Sequence, residues 1–148
     1  MSLASKIQST GLSIWLGEQA AGLGGLPIFA MICLLALGIL LLTEMTSNTA
    51  TAATFLPVVA AVAVQLGLNP LLLLVPTALA ANCAYMMPVG TPPNAIVYGS
   101  GRIDLVDMVK AGVWLNLLLV PIIAVILLLL GPSVLGIEFD VLPDWAMP

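Results

Sequence analysis

The chain has 148 residues, 61% of them apolar and 7% charged, with a mean hydropathy of +1.21; a water-soluble domain carries about 25% charged residues, so the solvent is a bilayer. The net charge of −4 comes from 3 basic and 7 acidic residues, too few to form a surface that attracts nucleic acid. With no His, and with Cys33 and Cys83 each set in an apolar run, neither a zinc site nor a CxxC redox motif can be built; both cysteines are expected to be small buried hydrophobes.

The chain opens with SKIQSTGLSIWLGEQ, which reads as an interfacial amphipathic helix with Ile7, Leu12, Ile14, Trp15 and Leu16 on its apolar side; residues 1–22 hold this helix and an incoming segment. No apolar core of about 7–15 residues precedes Gly11, so it is not a signal peptide. Two apolar segments follow, Leu26 to Leu42 and Ala50 to Leu66. Each is about 17 residues long and would reach roughly 25 Å at 1.5 Å per residue, marginal for crossing ~30 Å of hydrocarbon. Between them lie Thr43, Glu44, Thr46, Ser47, Asn48, Thr49 and Thr51, with neither Gly nor Pro. An aqueous turn would carry Gly, Pro, Asp or Lys. The spacing therefore predicts a re-entrant helical hairpin over 26–66 whose neutral polar tip stops inside the membrane.

The third segment, Leu71 to Met87, runs into MMPVGTPPNAIVYGSG. Pro92 and Pro93 remove two amide donors and push Thr91 out of the helical region, so residues 70–98 are expected to form a broken transmembrane helix. Irregular backbone at membrane depth is tolerated only where it is buried in protein or lines a wet cavity. Free carbonyls at one half-helix end suit a cation, and free amides at the other suit an anion. The last apolar segment, within 105–131, exceeds the ~20 residues of a full span. Asp104 is placed to cap it, Asp107 to favour its dipole and Pro121 to kink it. Residues 132–148 form a tail carrying Glu138, Asp140 and Asp144.

SNT at Ser47-Asn48-Thr49, followed by PVGTPPNAIVYGSG, resembles the divalent anion/sodium symporter family of dicarboxylate and citrate carriers, over about residues 3 to 131. The resemblance implies an all-α integral membrane protein, the second half of an inverted-repeat transporter. In that family each repeat holds a hairpin, an SNT motif and a broken helix, and the anion lies between the two tips. One repeat is present here, so the chain is expected to be a fragment that lacks the first repeat, with the intact carrier a homodimer. The resemblance further implies that Ser47, Asn48 and Thr49 contact one carboxylate of a di- or tricarboxylate. Thr91, Pro92 and Asn94 shape the opposite wall, with Thr91 the selectivity position. Thr43, Thr46, Asn48 and Gly90 hold a sodium ion, mainly through backbone oxygens, so side-chain identity at 43, 46 and 90 is expected to constrain little. Ser47 could instead serve only as a helix cap, with the helix restarting at Thr49-Ala50. A proton-coupled or exchange carrier stays open, as does a structural or channel-type subunit, which saturable sodium-dependent uptake would exclude.

Glu44 is the acid expected inside the membrane, where a carboxylate is by default functional. It is placed outside the sodium site, either bonded to hairpin backbone or protonated, fixing the tip without touching substrate. Without His, and with no Asp before Asp104, an intramembrane protease is excluded. Arg102 and Lys110 against the acidic tail put the 99–110 loop in the cytoplasm and the C-terminus outside, in a multi-pass plasma or inner membrane protein. Lys6 disagrees with that orientation; Trp15, Tyr98 and Trp145 fall near the interfaces.

Overall fold

Residues 10–11, 25–139 and 141–146 are described by the computed structural model. They contain helices α1 (Ile28–Thr43), α2 (Asn48–Gln65), α3 (Leu71–Ala80), α4 (Pro92–Gly99) and α5 (Leu105–Leu135), a short 3-10 turn at Asp144–Ala146, and no strand. Apart from a turn at Thr10 and Gly11, the expected interfacial helix of 1–22, with Lys6 and Trp15, lies outside the described residues, as does Asp140.

Local chemistry sets most helix ends. α2 stops where Gly67 adopts φ +68°, with Gly67 N–H donating to Val64 O and Leu68 N–H to Ala63 O at 2.9 Å. That pair of bonds is a Schellman ending, in which a glycine takes the left-handed position. α3 begins after Pro70, with Asn69 Oδ1 accepting from Leu71 N–H at 3.1 Å. α5 ends at Gly136, left-handed at φ 62°.

Three boundaries differ from expectation. α2 begins at Asn48, inside the polar cluster, and with 18 residues is, like α5, long and apolar enough to cross a membrane; α5 is therefore not alone in that, and the two would reach about 27 Å and about 46 Å. α5 continues through Pro121, where a kink was expected, and past Pro132 to Leu135, beyond the expected end at residue 131. α3 ends at Ala80, well before Met87: the Asn82 and Cys83 amides turn to Leu79 O and Ala80 O, and the Tyr85–Met87 amides are taken by another residue, described below.

α3 is the central strut: α1, α2 and α5 all pack on it, and α1 and α2 touch each other far less. The core is built from small side chains. Ala36, Ala63, Ala80, Ala81 and Ala124 are fully buried, and Ile32, Leu40, Leu72 and Leu73 fill the space between. Small residues let helix backbones approach where lipid offers no hydrophobic drive for association. Meanwhile Leu34, Trp114, Leu118, Leu129 and Val134 are exposed, and Thr43, Glu44, Thr51, Thr77 and Asn116 are buried. Greasy outside and polar inside is the distribution of a protein solvated by lipid. Cys33 and Cys83 are only half-buried, and Cys83 Sγ donates to Leu79 O at 3.2 Å, so they are not the enclosed hydrophobes expected.

Candidate functional site

The polar residues gather where the α1–α2 tip meets the break between α3 and α4. Only Glu44, Met45, Thr46 and Ser47 separate α1 from α2. The turn closes without glycine because Met45 N–H donates to Leu42 O and Thr46 N–H to Thr43 O, both at 3.3 Å. Thr46 Oγ1 donates to Leu42 O at 2.9 Å and lies 2.6 Å from Thr51 Oγ1, tying the tip to the first turn of α2. Ser47 takes the N-cap position of α2 with an extended backbone, yet its hydroxyl makes no capping bond. A helix leaves its first amides without intrahelical partners, so the tip offers the amides that open α2 together with the exposed Ser47 and Thr49 hydroxyls.

The break offers the opposite chemistry. The Tyr85, Met86 and Met87 amides donate to the Glu44 carboxylate at 2.8–3.0 Å. Pro88, Pro92 and Pro93 have no amide proton. Gly90 N–H donates to Met87 O at 3.1 Å, and Asn94 N–H to Thr91 Oγ1 at 3.4 Å. Donors are thus consumed or missing along most of the break, and what remains is mainly carbonyl oxygen. The N-terminus of α4, with prolines at its first two positions and Thr91 capping Asn94, is a poor source of amides for an anion.

Glu44 is 1% exposed and joins three elements. Besides the three backbone amides it accepts Asn116 Nδ2 of α5 at 2.9 Å. Every partner among the described residues is an N–H donor. The expectation that it bonds its own hairpin backbone is therefore corrected: its partners belong to the break and to the last helix. Close packing supports them. A Cβ built on Gly112, one turn before Asn116, would lie 2.6 Å from Met86 Cα. One built on Gly90 would lie 2.8 Å from Ala84 Cβ and 3.6 Å from Glu44 Oε2. Packing, rather than any ligand role, therefore leaves room only for glycine at position 90.

Of the proposed sodium ligands, Thr43, Thr46 and Asn48 share the tip, and Gly90 lies against it beside Glu44. Thr43 Oγ1 lies 2.8 Å from Asn48 Oδ1 and 2.8 Å from Ala81 O. One hydroxyl has one proton, so Thr43 Oγ1 can donate to only one of these two oxygens at a time, and neutral oxygens of this kind are ligands that a hard cation accepts. The set of neutral oxygens fits sodium. Among the proposed anion contacts, Ser47, Asn48 and Thr49 are contiguous at the tip. Thr91, Pro92 and Asn94 sit on the break, and no hydrogen bond joins them to Ser47 or Thr49 among the described residues. Both amide hydrogens of Asn94 go to Ala84 O and Met87 O, at 2.8 and 3.1 Å. Its side chain holds the break. Sequence reasoning missed Gly112 and Asn116, although a lone Asn in an apolar span, one turn after a Gly, is a readable signal.

A family model for the sodium:sulfate symporter transmembrane region matches residues 1–137. The sodium-dependent dicarboxylate transporter SdcS of Staphylococcus saprophyticus is 48% identical over 138 residues, covering 93% of this chain and 27% of that protein. The transporter of the same name from Staphylococcus aureus is 47% identical over 140 residues, covering 95% and 27%. The chain thus spans about a quarter of the length of these relatives, where the motif resemblance implied a half.

Proposed function

Because the chain belongs to the sodium:sulfate symporter family, we propose that it is the part of a sodium-coupled di- or tricarboxylate carrier that holds one sodium ion and one carboxylate of the anion. Such a carrier moves solutes and catalyses no reaction. The observation that supports this reading is the division of labour at the site. The tip presents amides and hydroxyls, and the break presents acceptors, next to the oxygen cluster of Thr43, Asn48 and Ala81. Ser47 and Thr49, with the opening amides of α2, would take the carboxylate; helix N-termini favour anions, and neutral donors bind loosely enough to release. Thr43, Thr46, Asn48 and Gly90 would take the sodium. Thr91 and Pro92 form the facing wall, and Asn94 acts by holding it.

In this reading α1 and α2 form a re-entrant hairpin entering from outside, the 99–110 loop is cytoplasmic and the C-terminus external. A second repeat of opposite orientation completes the anion site, and the intact carrier is a homodimer. Asn48 lies at the junction of the two sites, so its loss is felt at both. In the intact carrier, Asn48→Ala should raise the sodium concentration for half-maximal succinate uptake and the KM for succinate together, since coupling between two ligands is reciprocal. Loss of succinate affinity with sodium dependence unchanged contradicts the sharing.

A further inference from the structure

Glu44 is buried at 1% exposure with neutral partners only, three backbone amides and the Asn116 amide. Such donors stabilise a negative charge without cancelling it, and an uncompensated charge in a low-dielectric interior is costly. The charge is also directed. Glu44 follows Thr43 in the chain, and its Oε2 lies 3.6 Å from where a Gly90 Cβ would stand. The carboxylate therefore sits beside two of the proposed sodium ligands, Thr43 and Gly90. Two features of α5 keep it there. Gly112 lets the helix backbone press against Met86, and Asn116 gives its nitrogen to the carboxylate, while its Oδ1 has no partner among the described residues.

We propose that Glu44 is the fixed counter-charge of the sodium site, a positioning residue that touches no ion, clamped by Asn116 and by the close approach at Gly112. It acts through its charge, which is offset when the cation arrives, while the Tyr85–Met87 amides and Asn116 only hold the carboxylate in place. This inference rests on the sodium site proposed above.

All the proposed ligands lie on this chain, so the purified 148-residue protein in lipid nanodiscs can be tested directly. The readouts are 22Na+ binding, with potassium as the balancing cation, and hydrogen exchange of the Tyr85–Met87 amides. Glu44→Gln keeps the shape and loses the charge; its sodium affinity is expected to fall roughly tenfold or more, the scale of a unit charge near the ion. Glu44→Asp keeps the charge on a shorter stem, and Asn116→Leu keeps Glu44 itself. Both should speed exchange at 85–87 yet hold sodium affinity within about threefold of wild type, because a single neutral donor contributes far less than a charge. If affinity follows amide protection rather than charge, so that Asn116→Leu and Glu44→Asp lose as much as Glu44→Gln, Glu44 is structural and the proposal fails. Equal binding by wild type and a folded Glu44→Gln also overturns it while leaving the sodium site standing. Absence of saturable binding in wild type removes the site and this inference together. Should Glu44→Gln fail to fold, the Asp and Leu variants decide alone.

Discussion

Two glycines carry the tightest packing in the site, and they separate steric need from mere flexibility. Gly112→Ala places a methyl 2.6 Å from Met86 Cα, and Gly90→Ala places one 2.8 Å from Ala84 Cβ. In each case backbone or a rigid neighbour must move, so each is expected to cost about 1–3 kcal/mol. Gly38, in α1, has nothing within 4 Å of a built Cβ, and Gly38→Ala should be neutral. Thermal unfolding in one detergent compares all three, and a Gly112→Ala midpoint equal to that of Gly38→Ala contradicts the packing described. Asn94→Ala strands Ala84 O, while Met87 O keeps the Gly90 amide, at roughly 1–3 kcal/mol for a buried group left unpaired. Glu44 was legible as an anomaly, since an acid among Leu and Thr stands out in any reading. Its partners were not, because they lie 41 to 72 positions away and no periodicity connects them.

At the scale of elements, segment length and proline placement were readable and the helix ends were not. A tip rich in Ser, Thr and Asn between apolar runs does become a four-residue turn joining two helices. The α3 end at Ala80 could not be read, because residues 81–87 are apolar enough to be helical, and the amides of 85–87 are held by a carboxylate from the distant α1–α2 turn. The α5 extension through Pro132 to Leu135 is the reverse case, a helix that runs past a residue read as its end. The hairpin's direction of insertion is open to a labelling experiment. Ser47→Cys should react only with small thiol reagents added from the outer side. Protection from outside with labelling from the cytoplasm would reverse the proposed topology.

For the whole molecule, the governing fact is that the chain spans 27% of the length of its transporter relatives. One tip supplies part of the donors for an anion that the proposed reading places between two, and alternating access needs a fixed partner for the moving element. The 148-residue chain in proteoliposomes is therefore expected to give no sodium-gradient-driven uptake of succinate, malate or citrate. Saturable uptake by this chain alone would show that copies of it assemble both tips. The family and the elements proposed to bind sodium were legible because the SNT and PVGTPPN motifs are contiguous in sequence; the share of the carrier was not, because no motif marks where a repeat ends. The central claim is that the Thr43–Asn48 tip and the Gly90 break form one sodium site within this chain, and equilibrium dialysis against 22Na+ tests it most directly. The account predicts one sodium ion per chain, displaced by unlabelled sodium but not by potassium, and lost in Asn48→Ala. No bound ion in the wild-type chain, or one that Asn48→Ala retains at full affinity, would contradict it.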